Sequence, residues 1–220
     1  MARTALLAGA TGLVGCALLD KLLTDKAYTA IKVIGRTLPA TRLPKLQFIA
    51  SDFSDLEKLG AELAADDVFC CLGTTLRKAG SKAAFERVDY HMVVDLARAA
   101  KKSGAKQFLV ISAVGSSMRS PSFYSRVKAR MELAVSETGL DAVHILRPSL
   151  LLGERGEFRP VEWLAQKLAP LLSRLLDGPL KKYRPIHADA LADAMLLLAR
   201  RNETGVKTHH LPLSLNLNAP

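Results

Sequence analysis

Apolar positions in this chain fall into two alternating textures. One is the short continuous run, as in Thr4-Ala5-Leu6-Leu7-Ala8 and Gln107-Phe108-Leu109-Val110-Ile111-Ser112; the other is a longer stretch with apolar residues three and four apart. Continuous runs suit strands buried on both faces, and the wider spacing suits helices with one inward face. The pattern predicts strands near 3–9, 30–36, 46–50, 67–72, 106–112 and 140–147, with a short one near 183–187. It predicts helices near 12–24, 54–63, 81–103, 121–138, 160–176 and 188–201. Such alternation calls for an α/β architecture, a doubly wound parallel sheet covered on both sides. No repeat, low-complexity run or linker divides the chain, so 1–220 reads as a single domain.

The first strand runs straight into Gly9-Ala10-Thr11-Gly12-Leu13-Val14-Gly15, and a helical stretch follows. In that order the three glycines have distinct jobs: a sharp exit from the strand, close approach of backbone to a pyrophosphate, and close packing of helix on sheet. Backbone amides at the helix start then face the phosphates. Gly9, Thr11, Gly12, Leu13, Val14 and Gly15 are therefore candidate dinucleotide-binding residues.

A second pattern is Tyr124-Ser125-Arg126-Val127-Lys128, which follows the strand ending at Ser112. Tyr124 and Lys128 are four apart and share a helix face. An ammonium beside a phenol favours phenolate, which makes the tyrosine a usable proton donor or acceptor near neutral pH. Ser112, at the carboxyl end of its strand, is placed to hold a substrate carbonyl.

With these residues the chain resembles the short-chain dehydrogenase/reductase superfamily, which has a Rossmann sheet and a Ser, Tyr and Lys active site. The GxxGxxG form of the glycine turn is similar to the extended and atypical branches. Cys71-Leu72-Gly73-Thr74-Thr75, Phe85-Glu86-Arg87-Val88-Asp89-Tyr90 and Leu146-Arg147-Pro148-Ser149-Leu150-Leu151-Leu152-Gly153 resemble the Tat-interacting-protein-like atypical reductases, over most of the chain from Leu6 to about Met195. The resemblance implies a Rossmann-like domain with Ser112, Tyr124 and Lys128 as catalytic residues and Lys128 also on the nicotinamide ribose. It further implies adenine-edge contacts at Asp52 and Phe53 and a proline segment at Pro148 covering the nicotinamide. Extended members carry a sizeable carboxyl-terminal substrate domain, whereas only about 70 residues follow Arg147 here, so a small substrate lobe is expected. Many short-chain enzymes place an Asn in the helix after the fourth strand; this chain offers Asp89 and His91 there.

Cofactor choice turns on the end of the second strand, where an acidic residue would bind the ribose hydroxyls of NAD. Ile34-Gly35-Arg36-Thr37 occupies that place. Arg36 offers a planar fork suited to a 2′-phosphate, which points to NADP. Gly73 and Thr74, after the fourth strand, allow the backbone to approach the cofactor ribose. Arg77 and Lys78 follow beside the carboxyl end of the sheet, and Arg155 and Arg159 lie in a charged loop ahead of Trp163; Arg77, Arg155 and Arg159 are candidate contacts for an anionic substrate. His187 reads as a structural or rim residue.

Lysine and arginine exceed aspartate and glutamate, 31 to 21, for a formal charge of +10. The charge is scattered and aromatics make up only 5%, so stacking platforms for nucleic acid are lacking and a nucleic-acid partner is not expected. A basic surface that attracts anionic cofactors is the simpler account. No apolar stretch reaches the roughly 20 residues of a membrane span. Strand-like sequence begins at once, and the 3 cysteines suit reduced thiols, so a cytoplasmic location and no metal site are expected.

The sequence thus predicts an NADP-dependent oxidoreductase acting on a small carbonyl substrate. Two alternatives stand beside it: a nucleotide-sensing regulator with a protein partner and no turnover, and a sugar-nucleotide epimerase or dehydratase that keeps its NAD. A homo-oligomer is left open.

Overall fold

Seven parallel strands carry the fold in the computed structural model, which describes residues 2–39, 43–152 and 184–211. The strands are β1 (Arg3–Ala8), β2 (Tyr28–Gly35), β3 (Leu46–Ala50), β4 (Asp67–Cys70), β5 (Gln107–Ile111), β6 (Ala142–Arg147) and, after the short pair β7 (Leu151–Leu152) and β8 (Ile186–His187), β9 (Gly205–His210). The helices are α1 (Leu13–Thr24), α2 (Leu76–Ala79), α3 (Lys82–Glu86), α4 (Met92–Lys102), α5 (Phe123–Ser136) and α6 (Ala188–Arg201). The sheet order is β3-β2-β1-β4-β5-β6-β9. Strand order therefore reverses between β1 and β4, which opens a crevice at their carboxyl ends, the place where doubly wound sheets bind ligands.

Side-chain alternation along β1 builds the two cores. Ala5 and Leu7 join Leu18 and Leu22 of α1 and Leu191, Met195 and Leu198 of α6. Leu6 and Ala8 point the other way, to Val93, Leu96 and Ala97 of α4 and Met131 and Val135 of α5. Both faces are apolar, so the strands read as continuous runs. Each fully buried Leu or Phe contributes about 1.5–3 kcal/mol through the water it leaves.

At the amino ends of the strands, away from the crevice, Tyr28 donates its phenol to the Asp67 carboxylate at 2.8 Å, and Arg3 pairs with the same carboxylate while donating to the Ala199 carbonyl at 3.0 Å. Burial raises the Asp67 pKa against the opposing pull of Tyr28 and Arg3. This network ties β1, β2 and β4 to the end of α6.

Three differences from the sequence reading have local causes. The helix expected at 54–63 is a 3-10 stretch, Leu56–Leu63, broken where Gly60 adopts φ +44°. The helix expected at 81–103 is continuous in direction but divided: α3 passes into α4 through a widened π turn, Arg87–His91. Finally, β9 was not expected. Its sequence, Gly205-Val206-Lys207-Thr208-His209-His210, has no apolar run, and its strand form comes from parallel pairing with β6, from Ala142 opposite Gly205 to Arg147 opposite His210. The helix expected at 160–176 and Trp163 lie outside the described residues. Among the described residues no helix is long and apolar enough to cross a membrane.

Candidate active site

The glycine turn leaves β1 at the crevice. Gly9 has φ +83°, and a Cβ there would lie 2.6 Å from the Cys71 carbonyl oxygen, while a Cβ on Gly15 would lie 2.0 Å from the Gly9 carbonyl oxygen. Packing alone demands glycine at both places. Gly12 differs: its φ is −81°, it is exposed, and a Cβ would meet only the Gly9 oxygen at 3.3 Å. It caps α1 with no side chain bonded to the helix end, and the first turn carries no acidic residue. Thr11 is exposed beside it, Leu13 is half-buried and Val14 anchors the helix in the core. The surface over Gly12 thus offers an open backbone and the positive end of a twelve-residue helix, and it fits a pyrophosphate.

The same crevice receives the Tyr/Lys helix. The Gly9 turn abuts Cys71 and Leu72 at the end of β4, and two residues on, a Cβ at Gly73 would lie 3.5 Å from Asp89 Oδ1 and 4.0 Å from Lys128 Nζ. Asp89 sits in the π turn and is 1% exposed. One of its oxygens accepts the Thr74 amide at 2.8 Å; the other meets Lys128 Nζ at 2.8 Å. Lys128 also approaches the Ile111 carbonyl at 3.4 Å. Burial pulls the Lys128 ammonium toward its neutral form, but Asp89 first and Tyr124 next outweigh it, and its pKa ends above the ordinary lysine value. Lys128 is therefore a charged group already balanced by a buried carboxylate. Tyr124, one turn earlier on α5, is half-buried with its ring 5.6 Å from that of Phe85, at 46°.

Ser112 meets a different arrangement from the expected one. It is 4% exposed, and its hydroxyl donates to the Glu132 carboxylate, leaving no proton for a substrate carbonyl. The neighbouring Ser116 hydroxyl, 3.2 Å away, donates to the Ala113 carbonyl at 2.8 Å. Glu132 lies one turn beyond Lys128 and is held by Arg147 of β6, so Ser112 joins a polar clasp that seats α5 on the sheet.

The remaining expected cofactor residues line the same ends of the strands. Arg36 follows β2 and is exposed, with no ion pair among the described residues. Asp52 follows β3; its carboxylate accepts the Ser54 amide at 2.9 Å and hydroxyl at 2.6 Å, bonds that hold its pKa down. Phe53 is buried at φ +64°, a left-handed conformation that is rare for an aromatic residue and strained. Pro148 is buried after β6, and its carbonyl accepts the Val114 amide at 2.9 Å. Arg77 is exposed on α2, which Thr75 caps. His187 is exposed at the start of α6. Arg155 and Arg159 lie outside the described residues.

Asp89, Glu132, Arg147 and Phe85 are the contributors that the sequence reading did not assign to the site. One signal was present: Tyr124, Lys128 and Glu132 recur every four residues, so an acid shares the stripe of the Tyr/Lys pair and needs a partner once buried.

Residues 5–213 match the sequence family described as the NAD dependent epimerase/dehydratase family. Protein HTATIP2 of Rattus norvegicus is 37% identical over 163 residues, covering 72% of this chain and 67% of that protein. The protein named "fmp52, mitochondrial" of Emericella nidulans is 34% identical over 182 residues, covering 80% of this chain and 78% of its own length. Among solved structures, MoeE5 in complex with UDP-glucose and NAD superposes with a TM-score of 0.68 at 18% identity, covering 93% of this chain and 74% of that one. The fungal names carry the word mitochondrial, which overturns the cytoplasmic location expected from the sequence.

Proposed function

Starting from the fact that this chain belongs to the NAD-dependent epimerase/dehydratase family of NAD(P)-binding Rossmann proteins, we propose that it is an NADP-dependent oxidoreductase reducing a small carbonyl compound. The observation that carries the reading is the contiguity of the Gly9 turn, the end of β4 at Gly73, and Lys128, with Tyr124 one turn away. A cradle for phosphates and a proton-bearing phenol thus open on one crevice.

Gly12, Thr11 and the first turn of α1 would hold the pyrophosphate. Arg36 would hold a 2′-phosphate, with Asp52 and Phe53 at the adenine and Gly73, Thr74, Lys128 and Pro148 toward the nicotinamide. When bound, the nicotinamide supplies hydride to a carbonyl carbon. Tyr124 donates a proton from its hydroxyl to the developing alkoxide. Lys128 orients the ribose, and Asp89 fixes Lys128 in turn. The Ser112–Glu132–Arg147 clasp keeps α5, and with it Tyr124, in register with the sheet. The protein's contribution is alignment and electrostatics.

The test is NADPH consumption against a panel of aldehydes, ketones and quinones, with Tyr124→Phe beside the wild type. The variant keeps the ring against Phe85 and loses the proton, so NADPH affinity should stay while turnover falls by about 10²-fold or more. Binding without consumption, unaltered in Tyr124→Phe, would replace this reading with that of a nucleotide sensor. The UDP-glucose and NAD held by MoeE5 favour a second reading, an epimerase or dehydratase. That reading requires NAD to copurify with the protein and a UDP-sugar to be converted without net NADH.

A further inference from the structure

We propose that the substrate side of the crevice is built for an acidic amphiphile, a carbonyl compound whose apolar body lies on Leu76 and Met118 and whose carboxylate or phosphate is held by Arg77 and Arg119. The inference names a substrate class for the activity read above and rests on that reading for the carbonyl.

Two segments follow the strands on this side, one after β4 and one after β5, which are paired neighbours with Cys70 opposite Val110. Neither carries an acid. Residues 72–85 hold Arg77, Lys78 and Lys82, and residues 112–131 hold Arg119, Arg126, Lys128 and Arg130, with no Asp or Glu in either stretch. Several of these cations are already engaged. Lys128 is matched by Asp89 and Arg130 by Glu86, Lys82 lies 5.5 Å from the centre of the Phe123 ring, and Arg126 donates to the Ser120 and Pro121 carbonyls at 2.8 Å. Arg77 and Arg119 are exposed and make no ion pair among the described residues.

Each of these two arginines follows an apolar side chain turned to water. Leu76 is 40% exposed, and Met118, at 54%, is the most exposed large apolar residue among those described. Slack turns do not account for this. Leu76 and Arg77 sit on α2, which Thr75 caps at one end and Gly80, at φ +78°, closes at the other. This short helix packs on α3, whose Phe85 lies against the Tyr124 ring. The Met118–Arg119 turn is folded back on α5: the Ser117 amide donates to the Ser125 carbonyl at 3.4 Å, and the Ser117 hydroxyl oxygen accepts the Arg119 amide at 3.2 Å. Arg126 then grips the next two carbonyls. Both turns are thus anchored next to the helix that carries Tyr124.

A single exposed leucine or methionine is ordinary surface. Two of them, each followed by an uncommitted guanidinium and fixed beside neighbouring strand ends, make a surface that is apolar and positive at once. A guanidinium takes a carboxylate or phosphate through paired hydrogen bonds, and the flexible thioether of methionine adapts to an apolar chain. A simple ketone uses only the apolar half and a sugar phosphate only the positive half. An acidic amphiphile uses both.

Isothermal titration with octanoate, below its micelle-forming concentration, tests the site without turnover, because NADPH does not reduce a carboxylate. Butyrate and octan-1-ol carry the two halves of the recognition separately. Octanoate should bind at least about tenfold more tightly than either. Arg77→Gln/Arg119→Gln should weaken octanoate by about tenfold or more and leave octanol unchanged, whereas Leu76→Ser/Met118→Ser should weaken both. All four side chains are exposed, so the variants keep the core; should a double variant fail to fold by thermal melt, the single substitutions carry the same comparison. Octanoate binding no tighter than butyrate, or indifferent to the arginine pair, overturns the proposal. Sedimentation with phosphatidylglycerol vesicles in the absence of octanoate binding overturns it too, since the rim would then be a bilayer contact. Octanoate binding together with failure of the carbonyl panel would strike the proposed activity and leave the site standing.

Discussion

Arg147 closes a two-pronged grip on Glu132, with Nε 2.9 Å from one carboxylate oxygen and Nη2 2.5 Å from the other. The pair bolts the middle of α5 to the end of β6, one helical turn beyond Lys128. Removing either partner strands the other in a largely dry site. Arg147→Met should cost about 2–3 kcal/mol, less than for a fully buried pair because Arg147 keeps some contact with solvent. Glu132→Leu/Arg147→Met should cost less than the sum of its parts. Urea denaturation of the four proteins reads this coupling, and strictly additive losses would count against the clasp.

The three glycines of the turn should separate into two classes. Gly12→Val should leave the fold largely intact, since Gly12 has φ −81° and a Cβ there would press only on the Gly9 carbonyl oxygen, at 3.3 Å, but it should weaken NADPH and NADH alike by covering the backbone. Gly15→Ala puts a methyl group into the Gly9 carbonyl and should lower stability by about 1–3 kcal/mol. Isothermal titration together with thermal melts distinguishes the two. Undiminished cofactor affinity in a folded Gly12→Val would remove the turn from the binding site.

Arg36 should decide between the two nicotinamide cofactors. A charge-assisted contact to a 2′-phosphate is worth about 1.5–3 kcal/mol, so NADPH should bind at least about tenfold more tightly than NADH, and Arg36→Ala should erase the difference. Equal affinities in the wild type would show the exposed Arg36 to be an ordinary surface cation.

His144 and His209 make the sheet sensitive to acid at its β9 edge. Their rings touch through Nδ1 and Nε2 at 3.1 Å, a bond that requires at least one of them to be neutral. Burial holds the His144 pKa down at about 4, with the neighbouring His209 adding to the effect. An unfolded chain binds protons at ordinary histidine pKa values, near 6.5. The folded form therefore has no penalty from this group above that value and loses stability as pH falls toward 4, by about 3 kcal/mol at full effect. His144→Asn should lose less stability between pH 7.5 and 4.5 than the wild type, measured by denaturant midpoints. Equal losses would assign the acid sensitivity elsewhere.

The sequence made the parts of the fold legible where local pattern and tertiary context agree. Helix α6 falls at 188–201 as expected, because Leu191, Met195 and Leu198 hold one apolar stripe. The glycine turn was legible for the same reason: each glycine answers a steric demand of its own. Strand β9 was hidden because pairing with β6, and no apolar run, makes it a strand. Within the site, Tyr124 and Lys128 stood out through their spacing, whereas Asp89 depends on a π turn that no residue pattern announces. Ser112 was read from its place at a strand end. Its bond to Glu132 depends on a contact twenty residues away along the chain.

The π turn at Arg87–His91 has a consequence for how this chain tolerates length changes. Residues four apart drift steadily around an α-helix, yet Phe85, Asp89 and Val93 are all buried, with exposures of 0%, 1% and 0%. The widened turn winds back that drift, so one continuous seam carries the ring under Tyr124, the carboxylate on Lys128 and the first apolar anchor of α4. The seam works as a phase adjuster between two helical segments that serve different masters, the crevice before it and the core after it. Losing a single residue there would restore regular winding and put the two out of step, so that either Phe85 or Val93 would have to turn toward water. Sequence length across this turn is thus as much a determinant of the site as the identity of its side chains.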